Sequence, residues 1–348
     1  MLSPTVSDLS ERDLITRIQQ QLPAPPSWMV VGIGDDAAVV EPVRNQLEVL
    51  TVDAMVEDVH FDRRFTPPAA IGHRALAANL SDLAAMGATP RLALLSLSLP
   101  PALPCLDFDA MIAGVARLAA AHGIHVAGGN LTRSPGPLVV DLTAIGSVKR
   151  RGVLKRSGAR PGDHIYVTGT IGAARAALQQ LQRAVDEGDG ERSRAAERLA
   201  EDEDQVRPFL YPEPRVRAGV LLGRNRAASA CMDLSDGLAD GVRQIAEASD
   251  VGATIDPGAL PISTHASRWF ASCGVDPLME AVAGGDDYEL VFTVPPRLRG
   301  RLRAVARHGG VPLVRIGVCE AEAGLRLRGE YAGRAIDAPL PTGFSHFR

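Results

Sequence analysis

The chain of 348 residues carries 37 basic and 41 acidic side chains, a formal net charge of −4 and 46% hydrophobic residues. That length suggests two domains, each able to bury its own core, while the near-neutral charge excludes the strong basic excess of a nucleic-acid binder. No apolar run approaches the ~18 residues of a membrane span, and the N-terminus lacks a basic-then-apolar leader; the expectation is a cytoplasmic protein with no membrane partner. Cys105, Cys231, Cys273 and Cys319 have no paired spacing, which argues against a disulfide framework or a structural zinc site.

In chain order, residues 8–22 read as an amphipathic helix behind Ser7 as its cap. Residues 28–40 and 47–61 are β-rich runs interrupted by Gly and Asp, and 71–87 is an Ala/Leu-rich helix closed by Gly87 and Pro90. A strand at 91–100, a helix at 108–123 and strands at 125–129 and 138–148 complete an alternating α/β first half. The turn-rich RSGARPGD (156–163) is a joint, which divides the chain into residues 1–149 and 150–348. Beyond it the pattern resumes with a strand at 165–172 and a helix at 172–186, then the charged stretch 186–205, read as a solvated surface segment. Helices at 214–223, 236–249 and 297–308 then alternate with strands at 230–232, 252–255, 281–295, 313–318 and 324–328.

Carboxylates set in apolar or Gly-rich sequence are the informative feature, because an uncompensated buried charge is strongly unfavourable. They are Asp35 and Asp36 in GIGDDAAVV, Asp53 in VLTVDAMV, Asp82 in NLSDLAAMG, Asp233 and Asp236 in MDLSDGLADG, and Asp286 and Asp287 in AGGDDYEL. The polar Asn130 in AGGNLTRS occupies an equivalent setting. Taken singly, Asp82, Asp233 and Asp236 read as helix caps, and Asp35–Asp36 as an Asx-turn. Asp53 does not, since a strand interior disfavours Asp. Few basic residues lie nearby in sequence, so the recurrence points to divalent cations held by oxygen ligands, Mg²⁺ or a similar hard ion shared with substrate phosphates. Lysine occurs only at Lys149 and Lys155, neither in a Walker A context, so a P-loop is excluded. Ser235 lacks a GxSxG elbow, which excludes a serine hydrolase of that type.

In order and spacing, GIGDDAA, TVDAMVEDVHF, ALAANLSDLAAMGA, GGNLTRS, RSGARPGD, DLSDGL and GGDDYEL resemble the thiamine-monophosphate kinase family, of the superfamily typified by aminoimidazole ribonucleotide synthase. The resemblance implies a two-domain α/β fold whose N-terminal sheet forms a barrel across a homodimer, with a C-terminal α/β domain completing the site. It implies Mg²⁺- and ATP-dependent phosphorylation of thiamine monophosphate. By motif, Asp36, Thr51, Val52 (through its carbonyl), Asp53, Asp82, Asp233 and Asp236 would hold Mg²⁺, with Asp35 a further ligand or acceptor beside Asp36. Gly129, Asn130, Arg156 and Ser235 would contact ATP, and His60, Asp286 and Phe344 the thiamine phosphate. Asn130 stands where the family often has a metal-ligating Asp, and Asp58 and Asp286 where Gly and Glu are common. The first cysteine, Cys105, lies outside the Gly-rich N-terminal segment in which selenophosphate synthetases carry a reactive one.

Overall fold

The structure, a computed structural model, describes residues 4–187 and 203–343. Helix α1 (Glu11–Gln21) is capped by Ser10, whose hydroxyl accepts from Asp13 N–H at 3.2 Å while the Asp13 carboxylate accepts from Ser10 N–H at 3.0 Å. This reciprocal box places the helix cap three residues beyond Ser7, which lies in a preceding 3₁₀ turn. Strands β1 (Met29–Val31) and β2 (Val39–Val40) form a small antiparallel pair around the 32–38 loop.

The first sheet contains β3 (Leu47–Val56), β4 (Thr89–Leu99), β5 (His125–Arg133) and β6 (Val139–Val148), in the order β3-β6-β4-β5. Helices α2 (Pro68–Ala85) and α3 (Cys105–His122) connect β3 to β4 and β4 to β5. Because β4 and β5 run parallel, their link must be a crossover, which α3 supplies. Alternation along β3 sends Thr51, Asp53 and Met55 toward the α2 side and leaves Leu50 and Val52 exposed on the other.

The second half builds a seven-stranded sheet in the order β13-β12-β9-β11-β7-β10-β8. Its strands are β7 (His164–Thr168), β8 (Ala230–Asp233), β9 (Gly252–Ile255), β10 (Leu290–Val294), β11 (Leu313–Glu320), β12 (Leu325–Tyr331) and β13 (Arg334–Pro339). Only the β9–β12 pairing is parallel. The helices are α4 (Ala173–Asp186), α5 (Glu203–Leu210), α6 (Val216–Asn225), α7 (Leu238–Ser249), α8 (Thr264–Ser272), α9 (Pro277–Ala283) and α10 (Leu302–His308). Helix α8 and strand β13 lie where no element was expected, α9 takes the first residues of the 281–295 run, of which only Leu290–Val294 is strand, and residues 296–301 form a 3₁₀ turn ahead of α10. Most of the charged 186–205 stretch falls outside the described residues.

The second half keeps a core of its own around Val167, Leu238, Ile255 and Val291, but the two halves also share one. The largest apolar cluster joins Leu76, Leu80, Leu97 and Phe108 of the first half to Val216, Leu222, Phe292 and Val305 of the second. At its centre lies α2, packed against β3 and β6 on one side and against α3 and α6 on others. Helix backbones approach this closely only where side chains are absent. A Cβ on Gly72 would lie 2.0 Å from Met111 O, and one on Gly114 would lie 2.0 Å from Ala69 O.

Helix propensity favours Gly→Ala by about 1 kcal/mol, but at Gly114 the collision with α2 backbone decides the sign. Gly114→Ala is expected to destabilise the fold by about 1–3 kcal/mol, read as a lower urea midpoint. Gly136→Ala, where an added Cβ meets nothing within 4 Å, should leave the midpoint unchanged.

Candidate functional site

A cavity of about 1020 Å³ opens between the two halves of the chain. Its walls bring together Asp53 of β3, Asp82 of α2, Asp233 at the end of β8, and Ser235 and Asp236 in the turn before α7. His60, from the loop between β3 and α2, and Asp286, before β10, line the same space.

These groups reach one place because of three local devices. The Thr51 hydroxyl, two residues before Asp53 on the same face of β3, donates to Asp82 and so ties the strand to α2. Ser81 on α2 donates from Oγ to Asp233 Oδ2 at 2.9 Å, linking the helix to the second half. The Gly-rich loop before β10 is laced to the turn after β8, with Asp286 N–H donating to Ser235 O at 2.7 Å and Tyr288 N–H to Leu234 O at 3.2 Å. Gly285 permits that lacing, since a Cβ there would lie 2.4 Å from Ser235 O.

Crowding the carboxylates in partial burial raises their proton affinity. Burial, reinforced by Asp82, lifts Asp53 to about 6, and burial with Asp82 nearby lifts Asp233 to about 7. Asp82 is also raised by burial, against the Thr51 hydrogen bond and the positive charge of Arg156. Asp53 Oδ2 is buried with no hydrogen-bond partner among the described residues. The donors are all oxygen, anionic and under-compensated, which fits a hard divalent cation. Among the described residues, no three His, Cys, Asp or Glu side chains are grouped closely enough to enclose one.

Other motif residues lie elsewhere. Asp35 and Asp36 are exposed on the loop between β1 and β2, outside the cavity wall, where Asp36 N–H donates to Asp35 Oδ1 at 2.9 Å. Gly129 and Asn130 are on β5, the sheet edge opposite β3. Asn130 belongs to the cross-strand row Ala54–Asp141–Ser96–Asn130, on the face away from Asp53. Three strand spacings, about 14 Å, separate the two edges, so one chain does not unite Asn130 with Asp53. Val52 also faces away, leaving only its main chain available toward the site. Arg156 bonds Gln244 and stands near Asp82 and Asp233. Phe344 lies outside the described residues. Asp287 does not join the cluster: it accepts from the N–H groups of Gly172 (2.8 Å) and Ala174 (3.4 Å) at the start of α4, and burial lifts it to about 8.

Two charged residues that bear on the site were not anticipated. Asp141, on β6, stands in the row that faces away from Asp53 and outside the cavity wall, and adds negative field at Asp53 through the sheet. Arg74, on α2, is 1% exposed and pairs with Asp286 at 3.2 Å. The charge of Asp286 is therefore met by an arginine 212 positions away in sequence.

The chain matches the family model of the AIR synthase related protein N-terminal domain over residues 34–148 and that of the C-terminal domain over residues 160–330. It is 39% identical to the thiamine-monophosphate kinase of Synechococcus elongatus over 302 residues, 85% of each chain. With the thiamine-monophosphate kinase of Escherichia coli K12 the identity is 40% over 296 residues, 84% of this chain and 85% of the relative. Among solved structures, thiamine-monophosphate kinase from Stenotrophomonas maltophilia superposes with a TM-score of 0.79 at 38% identity, covering 93% of this chain and 98% of that one. AaThiL complexed with AMPPCP and TMP superposes with a TM-score of 0.72 at 30% identity over 100% of both chains. Escherichia coli HypE, 21% identical with a TM-score of 0.74, shares the fold.

Raised carboxylate pKa values have a defined sign in stability. Between the ordinary value of 3.8 and about 6 to 7, the folded chain binds more protons at Asp53 and Asp233 than the unfolded chain does. That stability is present in full below 3.8 and is lost as pH rises through about 6 and 7. In chelator, the melting temperature is expected to fall between about pH 5 and pH 8, and millimolar Mg²⁺ should flatten the decline. Calorimetry across that range checks both.

Proposed function

The chain belongs to the thiamine-monophosphate kinase family of AIR synthase related proteins, and we propose that it transfers the γ-phosphoryl group of ATP to thiamine monophosphate, giving thiamine diphosphate and ADP. The observation that carries this reading is the convergence of Asp53, Asp82, Asp233 and Asp236, drawn from both halves, on one cavity that also presents Ser235, His60 and Asp286. The family's nucleotide and acceptor bring several negative charges together, a need that clustered oxygen ligands answer through bound cations. The ligands would be Asp53, Asp82, Asp233 and Asp236, with Thr51 and the Val52 carbonyl beside them. Mg²⁺ held there would offset charge on the phosphates and align acceptor with donor.

The chain's own residues supply position. His60 and Asp286 would orient the thiamine phosphate, with Phe344 packing on one of its rings, while Ser235 and Arg156 would contact the nucleotide. An oxygen of the acceptor phosphate attacks the γ-phosphorus in line, the bond to the β,γ-bridging oxygen breaks, and ADP leaves with that electron pair. The acceptor oxygen is already ionised, so no general base is required, and no phosphoenzyme forms. Asp36, Asp35, Gly129 and Asn130 enter this reading through a second copy of the chain. Leu50, Val52 and Leu94, exposed by 64%, 60% and 37%, make an apolar face on the first sheet that supports a homodimer.

Incubation with ATP, Mg²⁺ and thiamine monophosphate, followed by chromatography, should yield thiamine diphosphate. Asp53→Asn is expected to lower kcat by about 100-fold or more without lowering the melting temperature, since it removes charge and not packing. Turnover at the parental rate in saturating Mg²⁺ would sink the cation-holding role of Asp53. Leu50→Asp with Leu94→Asp should shift the mass seen by light scattering from dimer to monomer and reduce turnover with it.

A further inference from the structure

A buried cation at the wall of a binding cavity needs a reason, because desolvating a guanidinium is unfavourable unless its partners are well placed. Arg74 is among the largest fully buried side chains of the protein, yet it borders the cavity. Its Nη1 donates to Phe209 O at 2.5 Å, and its Nη2 donates to His60 O at 3.4 Å and to Asp286 Oδ1 at 3.2 Å. The guanidinium carbon lies 3.9 Å from the centre of the Phe209 ring, so the plane is clamped as well as bonded.

One planar group on α2 thus touches three segments distant in sequence: the loop carrying His60, the end of α5, and the loop carrying Asp286. The last two belong to the second half of the chain. Asp286 sits at a φ of +67°, a left-handed conformation that a non-glycine residue keeps only when its surroundings hold it. Its N–H is fixed by Ser235 O and its carboxylate by Arg74. Lysine in place of Arg74 could keep the charge but not the planar fork that reaches several acceptors at once.

We propose that Arg74 is a positioning residue for the phosphate acceptor, holding His60 and Asp286 in register across the junction of the two halves. The assignment rests on the reading that His60 and Asp286 contact thiamine monophosphate. Arg74 itself acts through these two residues and takes no part in bond making. Its loss removes none of the carboxylates Asp53, Asp82, Asp233 and Asp236, so acceptor binding and nucleotide binding respond differently.

The test is a steady-state comparison of the full chain with Arg74→Met, Arg74→Lys, Asp286→Asn and the double variant Arg74→Met with Asp286→Asn. Arg74→Met should raise KM for thiamine monophosphate by about tenfold or more while KM for ATP stays within about twofold. Arg74→Lys should fall between it and the parent. The double variant should be no worse for KM than the more severe single change, because both act on one contact, and should melt above Arg74→Met because the carboxylate left uncompensated is gone. If Arg74→Met does not fold, the same split is read from Arg74→Lys and Asp286→Asn and from their combination. Equal rises in both KM values, an unchanged KM for thiamine monophosphate, or strictly additive effects overturn the positioning role. A parent chain that makes no thiamine diphosphate overturns the functional reading itself, and this role with it.

Discussion

Helix α2 is the constraint around which the protein is organised. Its Ala-rich surface and Gly72, with Gly114 of α3, let α3 approach to backbone contact, and α6 packs on another side. Because that packing is dense, rotation or translation of α2 would have to displace main chain and not just side chains. The same helix carries Arg74, Ser81 and Asp82, which reach Asp286, Asp233 and Thr51 respectively. Close packing of an apolar helix therefore sets the relative placement of polar groups from both halves. The shared core that runs from Leu80 to Phe292 has the same consequence, since neither half can shift without disturbing the other's apolar contacts.

Periodicity made most of the fold legible. The alternation in 47–56 and the long apolar stripe in 68–85 both appear as elements close to where the pattern puts them. Helices α8 and α9 were hidden because 256–283 is broken by Pro, Gly and Ser and shows no long apolar stripe. The signals that could have located them were caps: Ser263 accepts from Ala266 N–H, and Asp276 accepts from Leu278 N–H ahead of Pro277 at the first helical position. Strand β13 is an exposed edge strand with a mixed polar pattern, so burial left little trace in its sequence.

The site was legible where the chemistry was unusual for its surroundings. Asp53 in an apolar strand and Asp82 in an Ala-rich helix stand out because an uncompensated charge is disfavoured there, and both line the cavity. Arg74 escaped notice because a lone arginine in a helix is ordinarily read as surface. The available signal was that α2 is apolar nearly all round, so a helix with no solvent face has nowhere exposed to put an arginine. Asp36 and Asn130 are the opposite case. Their motifs are distinct, but the fold of a single chain leaves them on an outer loop and on the far edge of the sheet.

Charge balance in the cavity links these observations. Each arginine on its wall among the described residues already has a carboxylate: Arg64 with Asp62 at 2.6 Å, Arg74 with Asp286 at 3.2 Å, and Arg175 with Glu280 at 3.4 Å. Meanwhile burial, with the negative field of Asp82 added to it, lifts Asp53 to about 6 and Asp233 to about 7. A polyanion entering such a space meets carboxylates in excess and cations already engaged. Direct ion pairing with the wall would require breaking existing pairs, and each carboxylate released would itself need a partner. A divalent cation held by Asp53, Asp82, Asp233 and Asp236 would remove the conflict by supplying positive charge without disturbing the arginine pairs. On the proposed reading the arginines would serve geometry and the aspartates charge. That division explains how a protein with two lysines, neither lining the cavity, can be built to handle phosphates.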